Sequence, residues 1–227
     1  EINVDKSKEM YYKDMKHPPI HLWSQTGQHL GTFKQVQVYR YLGVPMHLRQ
    51  GINIFHSKRL EMVHRAKSYA GTIISQADDS WDPAEVANAL WTNIAVEATL
   101  YGCEVASITE DSLVKLDGIQ AKVGAYILGV GRSCSHAAIR KELGWESMRS
   151  KIYKRKLLYW KRVSGLDGEN WANKALEECK DAINKTNGGT WNSLWYKEIR
   201  NIFIKCKITN IFGRHPKMNQ SIKRWVD

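Results

Sequence analysis

Asp78 and Asp79 stand side by side, and adjacent carboxylates are the residue type that holds Mg²⁺ ions for two-metal phosphoryl chemistry. That chemistry needs further carboxylates and a rigid element to carry them. Here the pair follows Gln76-Ala77 in a polar stretch just ahead of a helix start, with no strand pattern around it, and it reads as a solvated loop. The chain has no Gly-x-Ser-x-Gly nucleophile turn, no His-Glu-x-x-His zinc helix and no P-loop. Gly129-Val130-Gly131 alone reads as a break between a helix and a loop. Cys103, Cys134, Cys179 and Cys206 are widely spaced, without a CxxC pair, and read as reduced thiols of an intracellular protein. Cys134 with His136 is too little for zinc. No catalytic set and no cofactor motif is visible.

The cations carry more. Between Arg149 and Arg162 there are seven Lys/Arg and no acid. At 100° per residue, Lys151, Lys154, Arg155, Lys161 and Arg162 fall within roughly 120° of one another on a helix. Met148, Ile152, Tyr159 and Val163 gather on another face. Such a helix can rest on a core and present charge to phosphates, with salt-sensitive binding as the consequence. The alternative is an ordinary solvated face, but those usually mix both signs. A second group, Lys58, Arg59, Arg65 and Lys67, surrounds the helical pattern of residues 57–74.

These groups sit in an uneven chain. It has 227 residues and a formal net charge of +11. Residues 133–227 hold 20 Lys/Arg against 9 Asp/Glu, so the whole net charge equals that of this last stretch. A polyanionic partner is the natural reading. No apolar run approaches the roughly 20 residues of a membrane span, and no signal peptide is present. The absence of Met at position 1 reads as an excised or processed piece.

The elements that must position the cations change type along the chain. The first 46 residues read as strands and turns, with strands over 20–23 and 35–44 flanking Thr26-Gly27 and Gly31. From residue 52 the period is helical. Asp82-Pro83-Ala84-Glu85 starts a helix that should run to Tyr101 and Gly102. Thr109 caps another that ends near Gly129 or Gly131. Further helices are expected from Ser135 to Gly144, from 146 to 163, over 169–184, and from Thr190 onward. Of the nine tryptophans most fall in these helices and read as packing between them. The expected class is mainly α, with a short N-terminal β segment, a helical bundle and a helical linker.

Several phrases, in order, resemble the C-terminal part of reverse transcriptases from non-LTR (LINE-type) retrotransposons. Ile2-Asn3-Val4-Asp5-Lys6-Ser7-Lys8-Glu9-Met10 is similar to a stretch late in the palm, and Leu30-Gly31 leads to Val38-Tyr39-Arg40-Tyr41-Leu42-Gly43-Val44, similar to the segment that follows. Ala89-Leu90-Trp91 through Leu100-Tyr101-Gly102-Cys103-Glu104 resembles the thumb, as do Gln120 and Ile127-Leu128-Gly129. Glu142-Leu143-Gly144-Trp145 before a basic helix matches the usual continuation. The likeness covers residues 1–163 and becomes loose beyond.

The resemblance implies a palm end over residues 1–46, a thumb-like helical domain over 47–132 and a basic post-thumb linker over 133–227. It implies contacts to an RNA template and a DNA primer, and fingers and palm upstream in the same polyprotein. The catalytic aspartates, and the Mg²⁺ they bind, are then expected upstream, so that this chain is not an enzyme on its own. Tyr41, Leu42 and Gly43 would help position the primer end. Lys6 or Lys8 would correspond to a palm lysine proposed as proton donor. The alternative is a host-adopted, non-enzymatic RNA-binding or scaffold protein derived from such a fragment. Either would work in the nucleus or the cytoplasm.

Overall fold

The computed structural model describes residues 7–10, 18–41, 44–47, 52–76, 82–131, 133–185 and 194–207. The fold is mainly helical, with short strands confined to the N-terminal part. Two compact units divide between Glu61 and Met62.

The first unit holds the strands. β1 (Lys8–Glu9) pairs in parallel with β4 (Lys34–Gln35). β2 (His21–Trp23) and β3 (His29–Thr32) form a hairpin whose turn places Gly27 at φ +80, a conformation glycine adopts without a Cβ clash. Gly31, expected to mark a turn, lies inside β3 opposite Leu22. β5 (Val38–Tyr41) pairs antiparallel with β6 (Val44–His47), and Tyr41 faces Val44. The single strand expected over 35–44 is therefore divided among β4, β5 and the start of β6.

Among the described residues the second unit holds helices and no strand, the first of them being α1 (Ile52–Ser75) from Met62 onward. α1 begins at residue 52, where the helical period begins, and Val63 and Ala70 are its buried positions in this unit. α2 (Pro83–Leu90) starts as expected: Asp82 Oδ1 accepts from the backbone N–H of Ala84 at 2.8 Å and of Glu85 at 3.3 Å. A cap of this kind stabilises a helix by about 1 kcal/mol. The helix continues through a π-helical turn, Trp91–Ala95, into α3 (Val96–Leu100), and Gly102 at φ +78 turns the chain away.

α4 (Glu110–Ile127) is capped by Thr109, whose Oγ1 accepts from Ser112 N–H at 3.3 Å. α5 (His136–Glu142) ends at Gly144, φ +67, where Trp145 N–H returns to Arg140 C=O at 2.7 Å. That six-to-one bond is the Schellman closure the Gly-Trp pair suggested. α6 (Met148–Ser164), α7 (Trp171–Lys185) and α8 (Leu194–Lys205) complete the unit.

α4 and α6 are its axis. α4 packs on α2, α5 and α6, and α6 packs on α7 and α8. Leu113 and Leu116 of α4, Ile152 and Leu157 of α6, and Ile199 and Phe203 of α8 are buried. The Trp160 ring stands edge-on to Phe203, with centroids 5.1 Å apart. Trp91 and Trp160 are buried and Trp145 is half-buried, whereas Trp171 is 84% exposed. Packing thus accounts for most, not all, of the described tryptophans.

Candidate nucleic-acid interface

The basic helix α6 has two kinds of cation. Lys156 sits one turn after Ile152 on the apolar face and is completely buried. Its ammonium donates to Ala106 C=O and lies 3.1 Å from Glu198 Oε2 of α8. Burial pushes the Lys156 pKa down, and the Glu198 carboxylate works against that shift. Arg149 bridges Glu110 and Asp117 of α4. Arg155 is held by Glu97 of α3. The acids missing from α6 itself are therefore supplied by α3, α4 and α8. The basic face expected to be uncompensated is therefore partly compensated: Arg155, expected to meet phosphate, is half-buried and paired with Glu97.

The other kind remains available. Lys151 and Lys161 are half-buried and Arg162 is exposed, and none has an acidic partner among the described residues. Lys154 is half-buried and interacts within the structure. Along α1 the cations also separate. Lys58 pairs with Glu61 at 2.9 Å. Arg59 is only 5% exposed, with its guanidinium 4.6 Å above the Phe55 ring, so it is a buried residue and not the surface contact expected of it. Arg65 and Lys67 are exposed. Tyr41 ends β5, while Leu42, Gly43, Lys6, Asp78 and Asp79 lie outside the described residues. Lys8 lies in β1 opposite Lys34.

Lys67 has company that the sequence pattern did not announce. A cleft of about 320 Å³ opens between α1, α4 and α5. Its rim carries Lys67 of α1, Lys122 and Tyr126 of α4, and His136 of α5; buried Ala121, Ala125 and Ile139 make its floor. No acidic residue lines it, and neither Lys67 nor Lys122 has an ion-pair partner among the described residues. Tyr126 is 48% exposed, with its hydroxyl 3.5 Å from Gly71 C=O.

The backbone explains why the cleft exists. A Cβ on Gly124 would stand 2.5 Å from Ile139 Cγ2, so the missing side chain lets α5 lie directly on α4. At the end of α4, Gly129 at φ +65 and the Val130 N–H to Ala125 C=O bond, 2.9 Å, turn the chain past the cleft mouth. Lys122 lies in the stretch of residues 68–132, where three Lys/Arg face nine acids. Averaged over that stretch, the acids outweigh the single exposed lysine at the cleft. The available signal was positional: Lys122 and Tyr126 are one turn apart on one side of a helix.

A second concavity, about 460 Å³, lies between α1 and the α2–α3 segment and is lined mostly by apolar side chains, including Met62, Tyr69, Trp91 and Ile94. Among the described residues no group of three or more His, Cys, Asp or Glu side chains is placed to hold a metal ion, and no helix is long and apolar enough to cross a membrane. No protein-family model matches the sequence, and no curated protein and no solved structure matches it.

Proposed function

We propose that this chain grips nucleic acid as the C-terminal, thumb-and-linker part of a LINE-type reverse transcriptase, contacting the phosphates of an RNA template and a DNA primer. The observation that carries the reading is the acid-free cleft with Lys67, Lys122 and His136 on its rim. Lys151, Lys161 and Arg162 on α6 add cations that have no acidic partner among the described residues. The ordered likeness of residues 1–163 to the palm end and thumb of that family supplies the biological setting. A protein that must hold a duplex of any sequence uses phosphate contacts, which position without reading bases. Mg²⁺ would serve the parent polymerase at its catalytic aspartates, and this chain would supply grip and not chemistry.

The test is direct. The full chain should bind an RNA–DNA hybrid, and affinity should fall by orders of magnitude between about 50 and 200 mM salt if several phosphates are neutralised. It should extend no primer on its own when given Mg²⁺ and nucleotides. Salt-independent binding, or none, would overturn the proposal.

A further inference from the structure

We infer that the cleft between α1, α4 and α5 is a subsite for one unpaired nucleotide of a single strand, with its base against Tyr126 and its phosphates on Lys67 and Lys122. The inference rests on the nucleic-acid reading above and narrows it. Shape is the first argument. A concavity of about 320 Å³ is at the small end of ligand clefts, which run from about 300 to 1,000 Å³. It admits one base and its sugar, whereas a double helix can only lie across its mouth.

Chemistry is the second argument. The buried floor of Ala121, Ala125 and Ile139 offers no hydrogen-bond donor or acceptor from its side chains, so it suits a flat apolar face. Tyr126 presents a half-exposed ring beside that floor, with its hydroxyl near the Gly71 carbonyl. Lys67 and Lys122 stand on the rim on different helices, and neither has an acidic partner among the described residues. A basic groove beside an aromatic platform is the arrangement that holds single strands, because every base has a π-face and every linkage a charge. The same features favour no particular sequence: the side chains around the cleft provide few groups for reading base edges.

Fluorescence anisotropy with the full chain tests this. Three labelled probes of equal length serve: a single-stranded oligouridylate, a single-stranded oligothymidylate and a blunt RNA–DNA hybrid. Tyr126→Ala should weaken binding of at least one single strand about tenfold and leave the hybrid unchanged, whereas Tyr126→Phe keeps the ring and should bind as the parent does. Tyr126→Leu keeps apolar bulk without a π-face and should resemble Tyr126→Ala; matching thermal melts establish that the variants fold. If Tyr126→Ala affects all three probes equally, or none, while hybrid binding stays salt-sensitive, the subsite is wrong and the broader reading stands. If none of the probes binds, both fall.

Discussion

Lys156 Nζ lies 3.1 Å from Glu198 Oε2, with no part of the lysine exposed. Glu198 Oε2 also accepts from Ile108 N–H at 3.1 Å and from the Ser107 hydroxyl at 3.2 Å. One carboxylate thus ties α8 to α6 and to the loop that leads into α4. A charge in the interior is tolerated when it is paired, and the contacts of this carboxylate all fall on Oε2, while the buried Oε1 has no hydrogen-bond partner among the described residues. The most basic of the described helices is therefore also one of the packing axes of its unit.

The pair should behave as a unit. Lys156→Met alone, or Glu198→Met alone, should lower unfolding free energy by about 3–5 kcal/mol, since each leaves an uncompensated buried group. The double variant should recover most of that loss. Denaturant unfolding of the four proteins checks it; additive losses would show that the two side chains are independent.

Gly124 makes a second prediction. A methyl group there meets Ile139 Cγ2 at 2.5 Å and Leu143 Cδ1 at 3.0 Å. Gly124→Ala should cost about 1–3 kcal/mol through overpacking, even though alanine favours helix. Ile139→Ala placed in the same protein should restore part of the stability. A stabilised single variant in thermal melts would contradict the close approach of α5 to α4.

Arg155 and Arg162 should separate structure from binding. Arg155 is held by Glu97, whereas Arg162 is exposed and has no acidic partner among the described residues. Arg162→Gln should weaken hybrid binding and flatten its salt dependence, with a melting temperature close to the parent. Arg155→Gln should lower the melting temperature by a small amount, because a half-exposed pair contributes little. Parallel binding and melting measurements decide it, and a reversed pattern would refute the assignment.

Acid below the ordinary carboxylate range should loosen the α4–α6 junction. The Arg149 guanidinium beside Glu110 holds that carboxyl below its ordinary value, with Lys205 assisting and partial desolvation opposing. A depressed folded-state value means the carboxylate adds stability above its unfolded pKa and loses it as pH falls through the folded one. The pH dependence of melting should therefore be shallower in Glu110→Gln below the ordinary carboxylate range. Superimposable curves for parent and variant would remove Glu110 from the account.

Local chemistry made the helices legible. Asp82, Thr109 and Gly144 act on atoms within a few residues, so their types alone marked where α2 and α4 begin and where α5 ends. The fate of the charges was not local. Arg155 meets Glu97 and Lys156 meets Glu198, partners that are far apart in the chain, and only tertiary packing brings them together. Lys156 was nonetheless off the basic arc and one turn from Ile152, which is a sign of burial that a charge count overrides. The cleft was half legible. Lys67 stood out among its neighbours, but Lys122 and Tyr126 were hidden in an acidic stretch, and only the contact that Gly124 permits sets them beside His136.

If Lys67 and Lys122, which have no acidic partner among the described residues, hold phosphate at the cleft, removing them must change the salt dependence of binding. The slope of log affinity against log salt should be compared for the parent chain and for Lys67→Ala/Lys122→Ala on a single-stranded oligonucleotide. Each phosphate contact contributes a slope of about 0.7 on a single strand, so the double variant should be shallower by about 1.4. Equal slopes in the two proteins would contradict the account.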